Sequence, residues 1–141
     1  MIGGMAHYLD QINSSIELLG VEPKGADSFT KSLEKNGAVK IDKVDTIADS
    51  LGAPMAMDFS FDIAKKRVNQ VEKVTDDEIR SAMITMRDRL GFIIEPACAT
   101  SLAGLLERYK NKCQGKKVGI IACGSNISFK RYNEILNHYK G

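Results

Sequence analysis

Residues 118–123, Val-Gly-Ile-Ile-Ala-Cys, form an apolar run rich in β-branched residues that breaks abruptly into Gly124-Ser125-Asn126. A helix-compatible segment follows the break. A short apolar run of this kind reads as a strand buried on both faces, which places it in a parallel sheet and obliges the chain to supply crossover helices. The rest of the chain alternates in that manner. Residues 16–21, 38–41, 68–74, 92–94 and 117–123 read as strands. Residues 27–36 read as a helix stopped by Gly37, and 44–51 as one stopped by Gly52-Ala53-Pro54. Residues 55–61 read as irregular and 61–67 as helical. Thr75-Asp76-Asp77-Glu78 is a capping box, predicting a helix to about Leu90 with Gly91 as its stop. Helices are also predicted over 98–112 and 129–139. Strands separated by helices imply parallel βαβ units.

The break after residue 123 puts Cys123 and the N–H groups of the turn at the carboxyl end of a buried strand, where α/β sheets usually hold ligands. Charge narrows the ligand classes. The 141 residues carry 20 basic and 18 acidic side chains, interleaved, for a net charge of +2. With no Trp, four Tyr and five Phe, no basic stripe interleaved with aromatics is available for nucleic acid. No apolar run reaches the length of a membrane span and no leader pattern opens the chain, so a cytoplasmic protein is expected. The widely spaced Cys98, Cys113 and Cys123 fit reduced thiols, and His7 and His138 lie too far apart in sequence to suggest a zinc cluster.

Three further segments carry chemistry. Gly3-Gly4 opening a helix offers close backbone N–H groups to a phosphate, or is simply a flexible end. No strand precedes it, so the chain reads as entered partway through a domain. In Glu22-Pro23-Lys24-Gly25-Ala26-Asp27-Ser28, the Glu22 carboxylate, the Ala26 carbonyl and the Ser28 hydroxyl offer hard oxygen ligands to a cation. Alternatively, Asp27 or Ser28 caps a helix and Glu22 is a strand-end charge. In Ile93-Ile94-Glu95-Pro96-Ala97-Cys98, a carboxylate ends an apolar strand, where it must be paired or functional. Ser128-Phe129-Lys130 imitates a cofactor-lysine motif, but its place at the start of a polar helix predicts a solvated Lys130.

In order along the chain stand Gly3-Gly4, V-E-P-x-G-A-D-S-F (21–29), T-I-A-D-S-L-G (46–52), V-T-D-D-E-I (74–79), I-E-P-A-C-A-T-S-L-A (94–103) and I-A-C-G-S-N-I-S (121–128). This series resembles the C-terminal half of the serine/threonine dehydratases, fold-type II enzymes dependent on pyridoxal phosphate. The resemblance implies a doubly wound parallel sheet with flanking helices. Residues 1–141 would be the C-terminal portion of the cofactor domain, without the N-terminal region that bears the Schiff-base lysine, so no catalytic residue is expected in this chain.

The resemblance also implies roles. Gly3 and Gly4 look like the remnant of the phosphate-binding glycine loop. Cys123 looks like the Ser-or-Cys partner of the pyridine nitrogen, with Gly124, Ser125 and Asn126 shaping the turn beneath the ring. Glu22, Ala26 and Ser28, with the carbonyls of Leu51 and Ala53, resemble a cation site. Ser28, where divalent-ion binders have Asp, points to potassium rather than a divalent cation. Glu95 resembles a strand-end glutamate with a supporting role. The implied activity is β-elimination from L-serine or L-threonine to a 2-oxo acid and ammonia. Alternatives are a racemase or hydroxy-amino-acid lyase of the same fold, or a non-catalytic subunit pairing with a separate N-terminal half. An amino-acid substrate and a homodimeric intact enzyme complete the expectation.

Overall fold

The computed structural model describes residues 1–68 and 70–139. The chain has an α/β architecture. In order come α1 (Ile2–Gln11), β1 (Gly20–Pro23), α2 (Ser28–Glu34), a 3₁₀ turn (Asp49–Leu51), α3 (Asp58–Ala64), β2 (Val71–Val74) and α4 (Asp76–Leu90). There follow α5 (Pro96–Gly104), a π-helical turn (Leu105–Tyr109), α6 (Lys110–Cys113) and α7 (Phe129–Leu136). Among the described residues the sheet is the parallel pair β1–β2, in register from Gly20 opposite Val71 to Pro23 opposite Val74. None of the helices described is long and apolar enough to cross a membrane.

The capping box forms as its residues predict. The Glu78 N–H donates to Thr75 Oγ1 (3.2 Å) and the Thr75 N–H to Glu78 Oε2 (2.7 Å), while Gly91 ends α4 at φ 70°. The main core gathers on α4 and α5, with Val74, Ile79, Met83, Ala99, Tyr132 and Ile135 buried together. Gly104 lets α5 close on β1, because any side chain there would collide with the methyls of Val21. A smaller cluster joins Ala6 and Leu9 of α1 to Leu18 and Val68.

Several predicted elements change. The strand expected at 16–21 begins only at Gly20; the Arg67 guanidinium instead holds the carbonyls of Ser14 (2.7 Å) and Ile16 (3.3 Å). The helix expected over 27–36 ends at Glu34, and Asn36 (φ 49°), not Gly37, takes the left-handed position behind it. The strand expected at 38–41 is reduced to one bridge, Lys40 to Met55. The helix expected over 44–51 survives only as its last turn. The Asp76 carboxylate takes the Thr46 hydroxyl (2.7 Å) and the Ile47 N–H (3.0 Å), drawing that segment to the start of α4. The helix predicted over 61–67 starts earlier, spanning Asp58–Ala64, so that it begins inside the segment read as irregular. Of the strand predicted over 68–74, Val71–Val74 forms and Asn69 lies outside the described residues. The last helix stops at Leu136 rather than 139.

Residues 92–94 and 117–123 form no ladder among the described residues. Just beyond their ends, one backbone–backbone bond joins them, from the Glu95 N–H to the Gly124 carbonyl (2.9 Å). Val118 and Ile121 are 46% and 42% exposed, so the run read as buried on both faces is open here. Hydrogen bonding, not composition, makes an extended run a strand.

Candidate functional site

The turn expected to hold a ligand lies beside the start of α5. Pro96 occupies the first helical position, and Glu95 precedes it with extended backbone. The Glu95 N–H donates to the Gly124 carbonyl, and the Asn126 N–H donates to Glu95 Oε1 at 2.7 Å. Beyond the turn, Ser128 caps α7 by accepting the Arg131 N–H (3.2 Å). Residues 91–94 and Ala122, Cys123, Gly124 and Ser125 line an open cleft of about 350 Å³. Cys123, Ser125 and Asn126 are exposed, and Gly124 is half-buried. The cleft lining sets the small Gly91, Ala122, Gly124 and Ser125 beside the larger apolar Phe92, Ile93 and Ile94. Lys130 is exposed on α7, as its context predicted.

Gly3 and Gly4 sit in the first turn of α1, before the first intrahelical bond, so their N–H groups lack a helical partner. That turn packs near α3, and neither glycine belongs to the cleft lining.

The residues read as a cation site lie mostly at the N-terminal end of α2. The Ser28 hydroxyl donates to the Ala53 carbonyl at 3.2 Å, and Leu51 lies two residues earlier in the 3₁₀ turn. Gly25 admits the Asp45 backbone against the same loop, since a side chain would strike the Asp45 carbonyl. Neither Asp27 nor Ser28 caps α2 through its side chain. Glu22 does so from β1: it accepts the N–H groups of Phe29 and Thr30 (2.9 Å each) and the Thr30 hydroxyl (2.7 Å). Burial pushes the Glu22 carboxyl above the ordinary carboxylate range despite those donors. Asp27 behaves oppositely. Burial would raise its carboxyl, but Lys31 (2.9 Å) and Lys73 (3.3 Å) outweigh burial and lower it.

Two supports for this region carry no local signal. Arg108, in the π-helical turn, donates through Nη2 to both Glu78 oxygens (2.6 and 2.8 Å) and through Nε to the Lys73 carbonyl (3.1 Å). Tyr109 beside it is buried, with its hydroxyl on the Gly20 carbonyl (2.8 Å). Burial drives that hydroxyl's pKa far up, so it stays a neutral donor. Both act across long stretches of chain, and only a helical period on residues 98–112 hints at them.

A parallel strand pair packed against α5, with the Gly124-Ser125 turn and residues 91–94 lining an open cleft at the start of that helix, is the frame of an α/β ligand-binding domain. The chain belongs to the pyridoxal-phosphate dependent enzyme family, whose pattern matches residues 1–124. It is similar to phenylserine dehydratase of Ralstonia pickettii, with 38% identity over 126 residues, 89% of this chain and 39% of that protein. It is likewise similar to serine racemase of Dictyostelium discoideum, with 36% identity over 140 residues, 97% of this chain and 43% of that protein. Among solved structures, the processed threonine deaminase isoform 2 of Solanum lycopersicum superposes with a TM-score of 0.85 at 30% identity, over 96% of this chain and 40% of that one. The chain thus spans about two fifths of the length of these relatives.

Proposed function

We propose that the chain is the C-terminal portion of the cofactor domain of an ammonia-lyase acting on L-serine or L-threonine, and that it is inactive by itself. The observation that carries the reading is the exposed Cys123 thiol in a cleft of small and apolar residues, within a chain of this family. Pyridoxal phosphate, when bound, supplies an electron sink for the substrate's α-carbon. Cys123 would face the ring nitrogen with a neutral group able to donate or accept, which favours moderate electron withdrawal and β-elimination. Gly124, Ser125 and Asn126 would set the height of that thiol under the ring. Gly3 and Gly4 would give unpartnered N–H groups to the phosphate.

Glu22, Ala26, Ser28, Leu51 and Ala53 would hold potassium. In support, Glu22 is a desolvated carboxylate with no ion-pair partner among the described residues. Proton abstraction requires a lysine with access to the substrate, and among the described residues no lysine lines this cleft. That lysine would come from an N-terminal half, in the same polypeptide or a separate subunit, within a cytoplasmic homodimer. A racemase outcome remains the second reading, favoured by the 36% identity to serine racemase.

The test supplies pyridoxal phosphate and either L-serine or L-threonine to the chain alone, and then to the chain co-expressed with the N-terminal half of a relative. The expected result is 2-oxo acid only from the pair. A borohydride-reducible cofactor adduct on a lysine of the isolated chain, with 2-oxo acid formed, would overturn the reading. D-serine as the main product would replace elimination by racemisation.

A further inference from the structure

We propose that Glu95 is a positioning residue that fixes the Cys123–Asn126 turn to the rigid start of α5; this rests on the reading of that turn as part of the cofactor site. A short polar side chain at the head of a helix commonly caps that helix, and a carboxylate there can do the same. Glu95 makes no such bond, although its carbonyl receives the N–H groups of Cys98 (3.0 Å) and Ala99 (3.2 Å). It spends its carboxylate on the Asn126 N–H at 2.7 Å and its own N–H on the Gly124 carbonyl at 2.9 Å. The turn is therefore held from both sides by one residue. Gly124 also seats against this support, since a Cβ built on it would lie 3.4 Å from Glu95 Cδ and 3.5 Å from Cys98 Cβ.

The support itself is fixed, because Cys98, Ala99 and Ala103 of α5 are buried in the main core. The turn is not: Cys123, Ser125 and Asn126 are exposed, and the other backbone bond described within it is local, from the Ile127 N–H to the Ser125 carbonyl (2.9 Å). A short hydrogen bond to a carboxylate is stronger than its neutral counterpart, which suits one contact that must hold an exposed turn. Glu95 thus sets where Cys123 stands without touching the cofactor.

The experiment is residue-resolved amide exchange on the full chain and its Glu95→Ala and Glu95→Gln variants, with a titration of free pyridoxal phosphate followed by its absorbance. In Glu95→Ala the Asn126 amide should exchange about tenfold faster or more, the scale of one charged hydrogen bond. The Cys98 and Ala99 amides should keep their rates. Glu95→Gln, which retains an acceptor oxygen, should restore most of the protection at Asn126. If Glu95→Ala does not fold, Glu95→Asp, one methylene short of Asn126, should show the same localised acceleration.

Unchanged exchange at Asn126 overturns the proposal. So does equal acceleration throughout α5 and the turn in both variants, which marks a purely structural role. Where the chain binds the cofactor, Glu95→Ala should weaken it severalfold and Glu95→Gln much less; equal affinities overturn the proposal. Where the wild-type chain binds none, the titration is made on the chain assembled with an N-terminal half; no binding there fails the cofactor reading of the turn, and amide exchange still decides whether Glu95 holds it.

Discussion

Arg108→Met deletes a guanidinium and keeps the aliphatic stem. Three contacts disappear: the Nη2 contact shared between both Glu78 oxygens at 2.6 and 2.8 Å, the Nε bond to the Lys73 carbonyl, and an exposed Nη1 bond to the neighbouring Glu107 carbonyl that water replaces at little cost. Because a single nitrogen serves both oxygens, the first counts as one charged hydrogen bond, worth about 1.5 kcal/mol at the lower end of its range. The low end applies because both side chains are 24% exposed and water can replace part of the contact. The carbonyl bond adds about 1 kcal/mol, so the variant should lose roughly 2–3 kcal/mol near neutral pH.

Acidity supplies a second dimension to the same experiment. Burial would raise the Glu78 carboxyl, but the Thr75 N–H and Arg108 together hold it below its ordinary value of 4.5. A depressed folded value stabilises the fold above 4.5, and that stability is lost as pH falls through the folded value. Wild type should therefore lose more than the variant on acidification. The gap between them should shrink toward the roughly 1 kcal/mol of the Lys73 carbonyl bond. Urea melts of both proteins, at neutral pH and well below 4.5, measure this directly. A neutral-pH difference under about 0.5 kcal/mol, the ordinary range of surface substitutions, would refute the reasoning. A gap that widens in acid would do so as well.

The cation reading predicts that potassium chloride raises the melting temperature above choline chloride of equal ionic strength, and that Glu22→Gln abolishes the difference. Because the folded Glu22 carboxyl is raised, its own contribution is present below 4.5 and is lost as pH rises through the folded value. Potassium should therefore help most at neutral pH, and identical melts in the two salts would remove the site. Gly104→Ala should cost about 1–3 kcal/mol by driving a methyl into Val21, as overpacking does. Adding Val21→Ala should recover part of that loss, and an unperturbed single variant would contradict the close approach. In the enzyme assembled with an N-terminal half, Cys123→Ser should retain activity. Cys123→Ala should weaken cofactor binding by about 1 kcal/mol, the net value of one hydrogen bond. Activity of Ala above Ser would instead mark a thiol that merely packs.

What could be read from the sequence depended on how far each residue reaches. The capping box of Thr75 and Glu78 spans three positions and Gly91 acts on its own helix, so α4 was legible from end to end. The motifs around residues 22–28, 94–98 and 121–126 pointed to the family in order, and the family pattern covers residues 1–124. Asp27 stands at the N-cap position of α2, one of the two places the local pattern offers, but the acceptor that serves the helix N–H groups is Glu22, which approaches from a strand and leaves no local signal. Residues 44–51 carry helical spacing, but Asp76, from about 30 residues away, takes the donors of Thr46 and Ile47. The 117–123 run looks like a strand on composition; a ladder also needs a neighbour, which no local pattern supplies.

The Tyr109 hydroxyl bonded to the Gly20 carbonyl has a consequence for synthesis. The two residues stand 89 positions apart, so ribosomes adding about 5–20 residues per second separate their appearance by roughly 5–20 s. β1 is only four residues long and receives its covering helix α5 late in that interval. Until α5 is made, the apolar Val21 has no Gly104 to close over it. Chaperone dependence in this chain should therefore fall on its first quarter, and slowing translation between β1 and α5 should lower soluble yield more than slowing it after Tyr109.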